Sequence, residues 1–286
     1  MTAGDVADEG VRSIVLCADD YALHPAVDEA VCRLAAQGRL SATSCMATSP
    51  RWREAAAALQ GLRPGLAAGL HLNLTEAHGG AVEARTLGQV LRQAYLRGLP
   101  RAQLQAALRA QLDAFEQALG TPPDFLDGHQ HVHQLPGVRE LVEAELQRRY
   151  ALHERPWLRS TVPAGGLWRT PKAAALALLG GWSATRRWRA AGLQANRGFA
   201  GVYGFDAPDV AAYRAHMRRW LAHLAPGGVL MCHPAVALLS QDAIGHQRPV
   251  EFAYLASEAF AQDLEEAGRA IHRGPRLPVH PGRDGR

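Results

Sequence analysis

The feature that most constrains the fold of this chain is a repeated alternation of short strand patterns with longer helix patterns. Ile14–Cys17 is an apolar run of the kind found in strands buried on both faces. The residues after it place apolar side chains at helical spacing up to Leu34. About seven such pairs follow one another without a linker-like break or an internal repeat. The alternation predicts an α/β fold with one domain over residues 1–272, a (β/α) barrel of the TIM type that is distorted or seven-stranded, and a disordered tail over residues 273–286.

The third strand pattern indicates how such a barrel would open into a site. Over residues 66–75 the even positions are apolar, whereas Ala67, Gly69, His71 and Asn73 lie on the other face. Small residues that give way to polar ones are typical of a barrel interior that ends at a site. Residues 161–196 have no firm period and are interpreted as a helical insertion over the site mouth. The remaining patterns predict strands at 40–48, 156–160, 198–205 and 229–234, and helices at 51–60, 86–99, 101–119, 136–149, 206–224 and 251–270.

The densest polar feature is the stretch from Asp127 to His133, which carries three of the chain's 13 histidines at alternate positions. Alternate side chains of an extended strand share a face, so we expect Asp127, His129, His131 and His133 to point one way. Pro136 ends the pattern and suits the first turn of a helix. Neutral imidazoles are the commonest protein ligands for divalent metals, so this histidine row predicts metal binding. The alternative is a solvated, histidine-rich strand end.

Polar groups end four of the predicted strands, and the parallel strands of a barrel present their carboxyl ends at one rim. These groups are Asp19 with Asp20, His71, the histidine row and His233. One carboxylate with two imidazoles is a recognised geometry for a catalytic metal that keeps open positions. Asp20, His71 and one histidine of the row would supply it. The other histidines would support those ligands or contact substrate.

Each of these residues also has an ordinary structural interpretation. Asp19 or Asp20 could stabilise the N-terminus of the next helix. His71 could be a hydrogen-bonded core histidine, and His233, which precedes a proline, could belong to a turn. Their joint occurrence at four strand ends favours a site over four separate structural roles.

Composition narrows the classes of partner and location. The net charge is +4, but no basic stripe is interleaved with aromatic residues, which argues against a nucleic acid partner. The four cysteines form no CxxC pair and no disulfide framework, so we expect reduced thiols and a cytoplasmic location. Residues 1–10 lack the features of a signal peptide. The longest apolar run, Ala173–Trp182, is about half a membrane span, so no transmembrane segment is expected.

Four motifs resemble one known family. They are Ala18-Asp19-Asp20-Tyr21, the GLHLNLT string at Gly69–Thr75, the DGHQHVH string at Asp127–His133, and Cys232-His233-Pro234. In this order they are similar to the motifs of the YdjC-like carbohydrate deacetylases, the family of the ChbG and HpnK proteins, which is related to the NodB-like polysaccharide deacetylases. The similarity spans residues 14–267. The chain departs from the family pattern at Tyr21, Ala22 and Ala235, where phenylalanine, glycine and glycine are usual.

The resemblance implies a barrel that holds one divalent metal ion through Asp20, His71 and His129, with Asp19 as the base. Analogy with the wider superfamily makes His233 the acid partner. The family is commonly assigned Mg²⁺, whereas two imidazoles favour Zn²⁺ as the alternative. The resemblance also implies a small carbohydrate or glycolipid as substrate, and it is compatible with a homodimer. Five further residues would contact the substrate or support the metal ligands: Asn73, Asp127, His131, His133 and Arg159.

The function hypothesis that follows is metal-assisted hydrolysis of an N-acetyl group on an amino sugar. A two-metal phosphoesterase or amidohydrolase is the main alternative enzyme, since those sites also place histidine pairs at strand ends. They usually add bridging carboxylates, of which this chain has few. A non-catalytic metal-binding or sugar-binding barrel is the third class, and it predicts bound metal without release of acetate.

Overall fold

The computed structural model describes residues 12–63, 65–77 and 85–274. Its strands are β1 (Arg12–Tyr21), β2 (Ala42–Cys45), β3 (Ala67–Leu72), β4 (Phe125–Gly128), β5 (Trp157–Leu158), β6 (Phe199–Ala200), β7 (Val229–Cys232) and β8 (Arg269–Ile271). Its α-helices are α1 (Pro25–Ala36), α2 (Trp52–Gln60), α3 (Leu87–Tyr95), α4 (Arg101–Leu119), α5 (Val138–Arg149), α6 (Pro171–Leu176), α7 (Trp182–Ala190), α8 (Val210–His223), α9 (Arg248–Leu255) and α10 (Glu258–Glu266).

The strands form one parallel sheet in the order β5–β4–β3–β2–β1–β7–β6. Two isolated parallel bridges, Leu158 to Ala195 and Pro163 to Phe199, link the segments at its two edges. Helices in most of the crossovers allow successive strands to run parallel. The curled sheet confirms the predicted α/β barrel of a distorted TIM type, with seven strands in its wall. An eighth strand that the sequence pattern did not predict, β8, pairs with the first residues of β1.

Alternate residues of the strands face two different cores. The inner core fills the barrel with side chains from all seven wall strands, and a flat sheet could not bring its two edges into one such cluster. The outer core packs the opposite strand faces, such as Leu16, Leu70 and Leu126, against the surrounding helices. The members of the inner core are Val15, Cys17, Ala42, Ala67, Phe125, Trp157, Phe199, Val229 and Met231.

The expectation that the histidine row continues an extended strand is wrong. β4 ends at Gly128, and His129–Gln134 is a 3-10 segment in which Gln130 and His131 have φ values of 51° and 60°. The strand stops where its pairing with β3 ends, at the pair Leu72 and Gly128. Spacing of two along a sequence is a strand signal only while a neighbouring strand is present. Asp127, His129, His131 and His133 therefore do not share one face.

Other element bounds differ from the patterns near the end of the chain. The helix expected over 251–270 is two helices, α9 and α10, separated where Ser257 takes an extended conformation and its hydroxyl donates to the Tyr254 carbonyl at 2.6 Å. The helix expected from residue 206 begins at Val210 as α8, and it is capped by Asp209, whose carboxylate accepts the Ala212 N–H. The first strand is longer than the predicted Ile14–Cys17, whereas the other predicted strands are shorter in the structure, most clearly β6.

The predicted helical insertion is present. Residues 161–196 contain a 3-10 turn (Gly165–Arg169), α6, a π-type turn (Ala177–Gly181) and α7. Residues 1–10 and the part of the predicted tail beyond Gly274 lie outside the described residues. The expected absence of a signal peptide and the expected disorder of the tail therefore stay predictions.

Candidate metal centre

The inward rows of the barrel strands end in a ring of polar side chains. On β1 the inward row is Val15, Cys17 and then Asp19, and on β4 it is Phe125 and then Asp127. The same alternation continued at the ends of the other strands gives the whole ring: Asp19, Ser44, His71, Asp127, Arg159 and His233. All of these except His233 are buried. A layer of charged and polar groups therefore closes the apolar interior at the carboxyl ends of the strands, where sites lie in barrels of this kind.

Asp20 joins this ring because the backbone of β1 is irregular there. The register of β1 against β2 shifts between Ala18 and Tyr21, and Asp20 has a φ of 67°. A residue with left-handed backbone angles inside a strand directs its side chain away from the regular alternation, as a residue in a β-bulge does. Asp19 and Asp20 therefore both line the pocket above the ring, whereas a regular strand would place consecutive side chains on opposite faces.

Asp20, His71 and His129 form a compact group. Asp20 Oδ1 lies 3.3 Å from His71 Nε2 and 3.0 Å from His129 Nδ1. One potential ligand atom from each residue lies within 4.8 Å of the others. These separations are close to those between the ligands of one ion. Of the three histidines in the row, His129 is the one that reaches Asp20.

Each of the two imidazoles has a second carboxylate on its other nitrogen. His71 Nδ1 lies 2.7 Å from Asp127 Oδ1, which also accepts a short hydrogen bond from the Ser44 hydroxyl. His129 Nε2 lies 3.3 Å from Glu76 Oε1. Metal-binding histidines are usually oriented by a carboxylate in this way. One carboxylate oxygen and two oriented imidazole nitrogens that converge at a pocket wall are a donor set that fits a divalent cation.

The surrounding carboxylates favour protons on both imidazoles. Burial works against the imidazolium form, but Asp127 and Asp20 outweigh it and raise the pKa of His71 to about 10. Asp20 and Glu76 likewise outweigh burial and raise the pKa of His129 to about 9. A cation that binds here must therefore displace two protons near neutral pH.

Arg159 lies below the site and joins two carboxylates. Its guanidinium donates to both oxygens of Asp19, at 2.6 and 2.7 Å, and lies 2.6 Å from Asp127 Oδ2. It also lies 3.0 Å from Cys17 Sγ. Burial opposes the charge of Asp127, but Arg159 and His71 hold the pKa of that carboxyl well below its usual range. Cys17, Asp19 and Asp127 lie close enough together to hold a cation. The buried guanidinium already supplies the positive charge at that place.

A second buried arginine, Arg248, holds the other side of Asp20. Its Nη2 lies 2.7 Å from Asp20 Oδ2, and its Nε makes a short ion pair with Asp242. Burial raises the pKa of the Asp20 carboxyl, but Arg248 and His129 outweigh it and hold that pKa well below its usual range. Arg248 thus occupies one carboxylate oxygen and leaves Oδ1 directed at the two histidines. It also connects Asp20 to the loop at residues 238–244, which lines the pocket.

His233 lies across the pocket floor from Asp19. Its Nε2 is 4.0 Å from Asp19 Oδ2, and its backbone N–H donates to Glu251 Oε2 at 2.6 Å. Glu251 is fully buried and also accepts the hydroxyls of Tyr203, at 2.5 Å, and Tyr213, at 3.2 Å. This hydrogen-bonded frame fixes the backbone of His233, whereas its ring lines the pocket.

The other two histidines of the row do not reach Asp20. His133 lies beneath the site, where its Nε2 donates to the Arg159 carbonyl at 2.9 Å and its ring stacks on Trp188. The His131 ring packs edge-on against Phe199 at 5.6 Å. Burial lowers the pKa of His133 to about 4 and the pKa of His131 well below its ordinary value. Both are therefore neutral near pH 7, and His133 fixes the backbone that carries Arg159.

Asn73 shapes the loop after β3. Its Oδ1 accepts the backbone N–H groups of Thr75, at 3.0 Å, and Glu76, at 2.8 Å. Its Nδ2 donates to the Glu76 carbonyl at 3.0 Å. Side chains of this type commonly stabilise such turns. Asn73 therefore fixes the backbone of the residue whose side chain contacts His129.

A pocket of about 950 Å³ opens above the ring. Its volume is at the upper end of the range of about 300–1,000 Å³ for small-molecule sites. The floor is polar, and Lys172, Leu176 and Leu179 of the insertion contribute to one wall, as expected for a helical segment at the site mouth. The other apolar lining residues are Leu23, Leu87, Ala175, Val202, Phe205, Met231, Leu238, Leu239, Ala243 and Ile244.

Three residues of the site were not singled out from the sequence. Ser44 had a usable signal, because it follows Ala42 on the inward face of β2. Glu76 directly follows the GLHLNLT string, but nothing in that string indicates contact with His129. Arg248 had no local signal, since it lies 228 residues from Asp20 and its role depends on how α9 packs.

Comparisons with known proteins agree with this fold. A profile of YdjC-like protein matches residues 13–266. A carbohydrate deacetylase of Homo sapiens is 34% identical over 149 residues, which cover 47% of this chain and 45% of that protein. A chitooligosaccharide deacetylase of Serratia marcescens is 34% identical over 145 residues, covering 48% of this chain and 56% of that protein. The chain spans about half the length of these two relatives. A chitooligosaccharide deacetylase of Yersinia enterocolitica is 25% identical over 275 residues, covering 90% and 96%.

Among solved structures, a candidate cellobiose-phosphate cleavage protein of Enterococcus faecalis superposes with a TM-score of 0.66 and 18% identity. The match covers 91% of this chain and 97% of the other, which shows a shared fold. Across the described residues, no helix has both the length and the apolar character needed to cross a bilayer. Since the family profile spans nearly the whole barrel, from β1 to the end of α10, this chain belongs to the YdjC-like protein family.

Proposed function

We propose that this protein is a metal-dependent hydrolase that removes the N-acetyl group from an N-acetylated amino sugar. The observation that carries the proposal is the convergence of Asp20, His71 and His129 beside a second carboxylate, Asp19, at one pocket floor. The relatives' names, carbohydrate deacetylase and chitooligosaccharide deacetylase, supply the substrate class. An oligosaccharide and the sugar head of a glycolipid both belong to that class.

Asp20, His71 and His129 would hold one divalent cation. When bound, such a cation polarises the acetamide carbonyl and lowers the pKa of a water molecule. Two imidazoles favour Zn²⁺, whereas the resemblance implies Mg²⁺. Asp127 and Glu76 orient the two imidazoles, and Arg248 orients the carboxylate, so the three ligands are arranged before the cation binds.

Asp19 acts as the general base and accepts the proton of the attacking water. It directly precedes Asp20 in the chain, and both side chains line the pocket, so the base lies next to the metal ligands. The two hydrogen bonds from Arg159 hold the carboxylate in one orientation. Proton transfer by a positioned group of this kind typically contributes ~10²–10⁴-fold to the rate.

His233 acts as the general acid and donates a proton to the nitrogen of the leaving amine. An amine is a poor leaving group until it is protonated, so the reaction needs such a donor. The 4.0 Å between His233 Nε2 and Asp19 Oδ2 supports the assignment of an acid and a base that act on one reacting group. The C–N bond breaks as the proton arrives, and the products are acetate and the free amino sugar.

The two-metal alternative would need a second cation among Cys17, Asp19 and Asp127. Arg159 argues against it, because its guanidinium lies within 3.0 Å of all three side chains. A second cation would face this fixed positive charge at short range in a buried place. A non-catalytic barrel would not need Asp19 and His233 directed at the pocket.

The proposal is tested by measuring acetate release from N-acetylglucosamine oligomers and acetylated glycolipids, with bound metal quantified per chain. We expect one metal ion per chain and loss of acetate release on chelation. Asp20→Ala should lose metal and activity together. Asp19→Asn should keep the metal and lose turnover by ~10²–10⁴-fold. Asp113→Asn is the matched control, since this half-exposed carboxylate pairs with Arg149 alone among the residues that the structure describes.

Each contrary result points to a different alternative. Normal turnover by Asp19→Asn would remove the base assignment. Two metal ions per chain would favour the phosphoesterase or amidohydrolase alternative. Bound metal without acetate from any substrate of the panel would favour the non-catalytic barrel.

A further inference from the structure

The helical insertion has a charge distribution unlike that of the rest of the chain. Residues 161–196 hold four arginines, one lysine and no Asp or Glu, although the whole chain has 31 basic and 27 acidic residues. The positive net charge of the protein therefore arises in this one segment. Arg186 on α7 is exposed and has no ion-pair partner among the described residues, so its charge is available to a partner outside the chain.

The same segment exposes large apolar side chains. Leu178 is 77%, Leu179 45% and Trp182 57% exposed, and nearby Trp168 is 40% exposed. These are four of the nine large apolar side chains that are exposed in the described part of the chain. The first three lie on both sides of the kink at Leu179 and Gly180, and Ala175 at the end of α6 is exposed as well. We call Ala175, Leu178, Leu179 and Trp182 the apolar stripe.

The opposite face of the segment is packed, which fixes the stripe outward. Ala177, Gly180, Ala184 and Trp188 are buried. Gly180 has a φ of 119°, and a Cβ there would lie 2.7 Å from the Gln134 carbonyl oxygen, so the turn between α6 and α7 rests directly on the histidine-row segment. The exposure of Leu178 and Trp182 is therefore a consequence of packing on their other side.

We propose that the apolar stripe docks on an anionic lipid surface. Exposed Leu and Trp side chains beside a basic residue, on short helices that are packed on their other side, are typical of segments that lie in the membrane interface. Trp favours the headgroup level, and Arg186, one helical turn after Trp182, is attracted by anionic lipid, whereas Arg187 is paired with Glu143. Lys172, Leu176 and Leu179 also line the pocket, so docking brings the pocket mouth to the level of the headgroups.

Two other partners would fit the apolar stripe and its charge less well than a lipid surface does. A second copy of the chain would bring two segments that lack acidic residues face to face, because symmetric contacts pair like surfaces. Single-stranded nucleic acid needs aromatic platforms along a basic groove, whereas two of the exposed side chains of the stripe are leucines. A lipid surface uses both the aliphatic and the cationic groups.

The test is partitioning of the full-length, metal-loaded protein onto vesicles. We use phosphatidylcholine alone and phosphatidylcholine with about one third phosphatidylglycerol, at low salt. We expect binding to the anionic vesicles, weakened about tenfold or more by Leu178→Ser combined with Trp182→Ser, and about fivefold by Arg186→Ser. The matched control is Leu96→Ser with Leu152→Ser, which removes two side chains that are 72% and 71% exposed and do not line the pocket.

Vesicle binding is read without substrate, so its failure is separate from failure of the proposed activity. Turnover of a soluble N-acetylglucosamine oligomer should be the same in the Leu178→Ser, Trp182→Ser protein as in the unaltered protein. No partitioning onto anionic vesicles would overturn the proposal. Equal loss in the Leu96, Leu152 control would also overturn it. So would a dimer that the stripe variant dissociates, or tighter binding to a single-stranded oligonucleotide than to vesicles.

Discussion

Replacing Asp127 by asparagine should change how strongly metal binding depends on pH. Asp127 is the largest cause that raises the pKa of His71, to about 10, against burial. Asp20 raises the pKa of His129 to about 9 in the same way. Both imidazoles are therefore protonated near pH 7 in the metal-free protein, and a cation binds only their neutral forms. As the pH rises the imidazoles lose their protons and metal affinity increases; as it falls, protons displace the metal.

The magnitude follows from the two pKa values. Removing the His71 proton at pH 7 costs about 4 kcal/mol, since each pKa unit corresponds to about 1.4 kcal/mol. Two displaced protons make the affinity of the unaltered protein rise about hundredfold per pH unit below pH 9. In Asp127→Asn, burial of His71 is no longer outweighed by that carboxylate, so one proton fewer is displaced and the slope falls to about tenfold per unit. The variant also loses its orienting group, which weakens metal binding by about 10–100-fold.

At pH 7 the smaller cost of removing the His71 proton strengthens zinc binding by the variant, whereas loss of the orienting carboxylate weakens it. At higher pH the His71 proton is lost in both proteins, so only the weakening remains. The first effect is about a thousandfold at pH 7, so we expect Asp127→Asn to bind Zn²⁺ about 10–100-fold more tightly than the unaltered protein there, and more weakly above pH 9. Zinc affinity is measured by competition with a chromophoric chelator across this range. Titration calorimetry in buffers of different ionisation enthalpy counts the released protons, which should be about two in the unaltered protein and about one in the variant.

The matched control is Asp242→Asn, because Asp242 makes its ion pair with Arg248 and is hydrogen-bonded to neither His71 nor His129. It should keep the release of two protons. If the unaltered protein releases no protons on binding zinc, the imidazoles are already neutral and the electrostatic argument is wrong. If Asp127→Asn still releases two, another group holds the proton on His71.

Three further substitutions test the frame around the site. Arg159→Met leaves the Asp19 and Asp127 carboxylates buried without their guanidinium partner. We therefore expect the free energy of unfolding to fall by about 3–5 kcal/mol and the Tm, measured by calorimetry, to fall by about 6–10 °C. An unchanged Tm would show that the guanidinium does not stabilise the two buried carboxylates. Glu251→Gln weakens the acceptor of the His233 N–H, which should lower kcat about tenfold while zinc content stays the same. Gly69→Ala puts a Cβ within 2.5 Å of the Phe125 ring and should cost about 1–3 kcal/mol in urea unfolding, whereas Gly88→Ala, with nothing within 4 Å, should not destabilise the protein.

Much of the barrel could be predicted because it rests on local periodicity. The apolar run at Ile14–Cys17 and the alternation over residues 66–75 identify β1 and β3, since a buried strand needs apolar residues on each face that meets a core. The histidine row shows where such reasoning fails. Its period of two is that of a strand, but the chain turns at Gln130 and His131 once β4 has no partner beyond Leu72. β8 was not predicted, because its three residues are too few to show the alternation of a strand.

The strand patterns alone identify the chemical groups at the rim, because an inward row that begins with Val15 and Cys17 continues to Asp19 and parallel strands end on one side of the sheet. How those groups pair depends on the folded arrangement. The left-handed backbone at Asp20, the contact of Glu76 with His129 and the ion pair of Arg248 with Asp20 depend on side chains brought together from distant elements. Periodicity specifies the face on which a side chain lies, whereas charge pairing and hydrogen bonding act through space between segments with no common pattern.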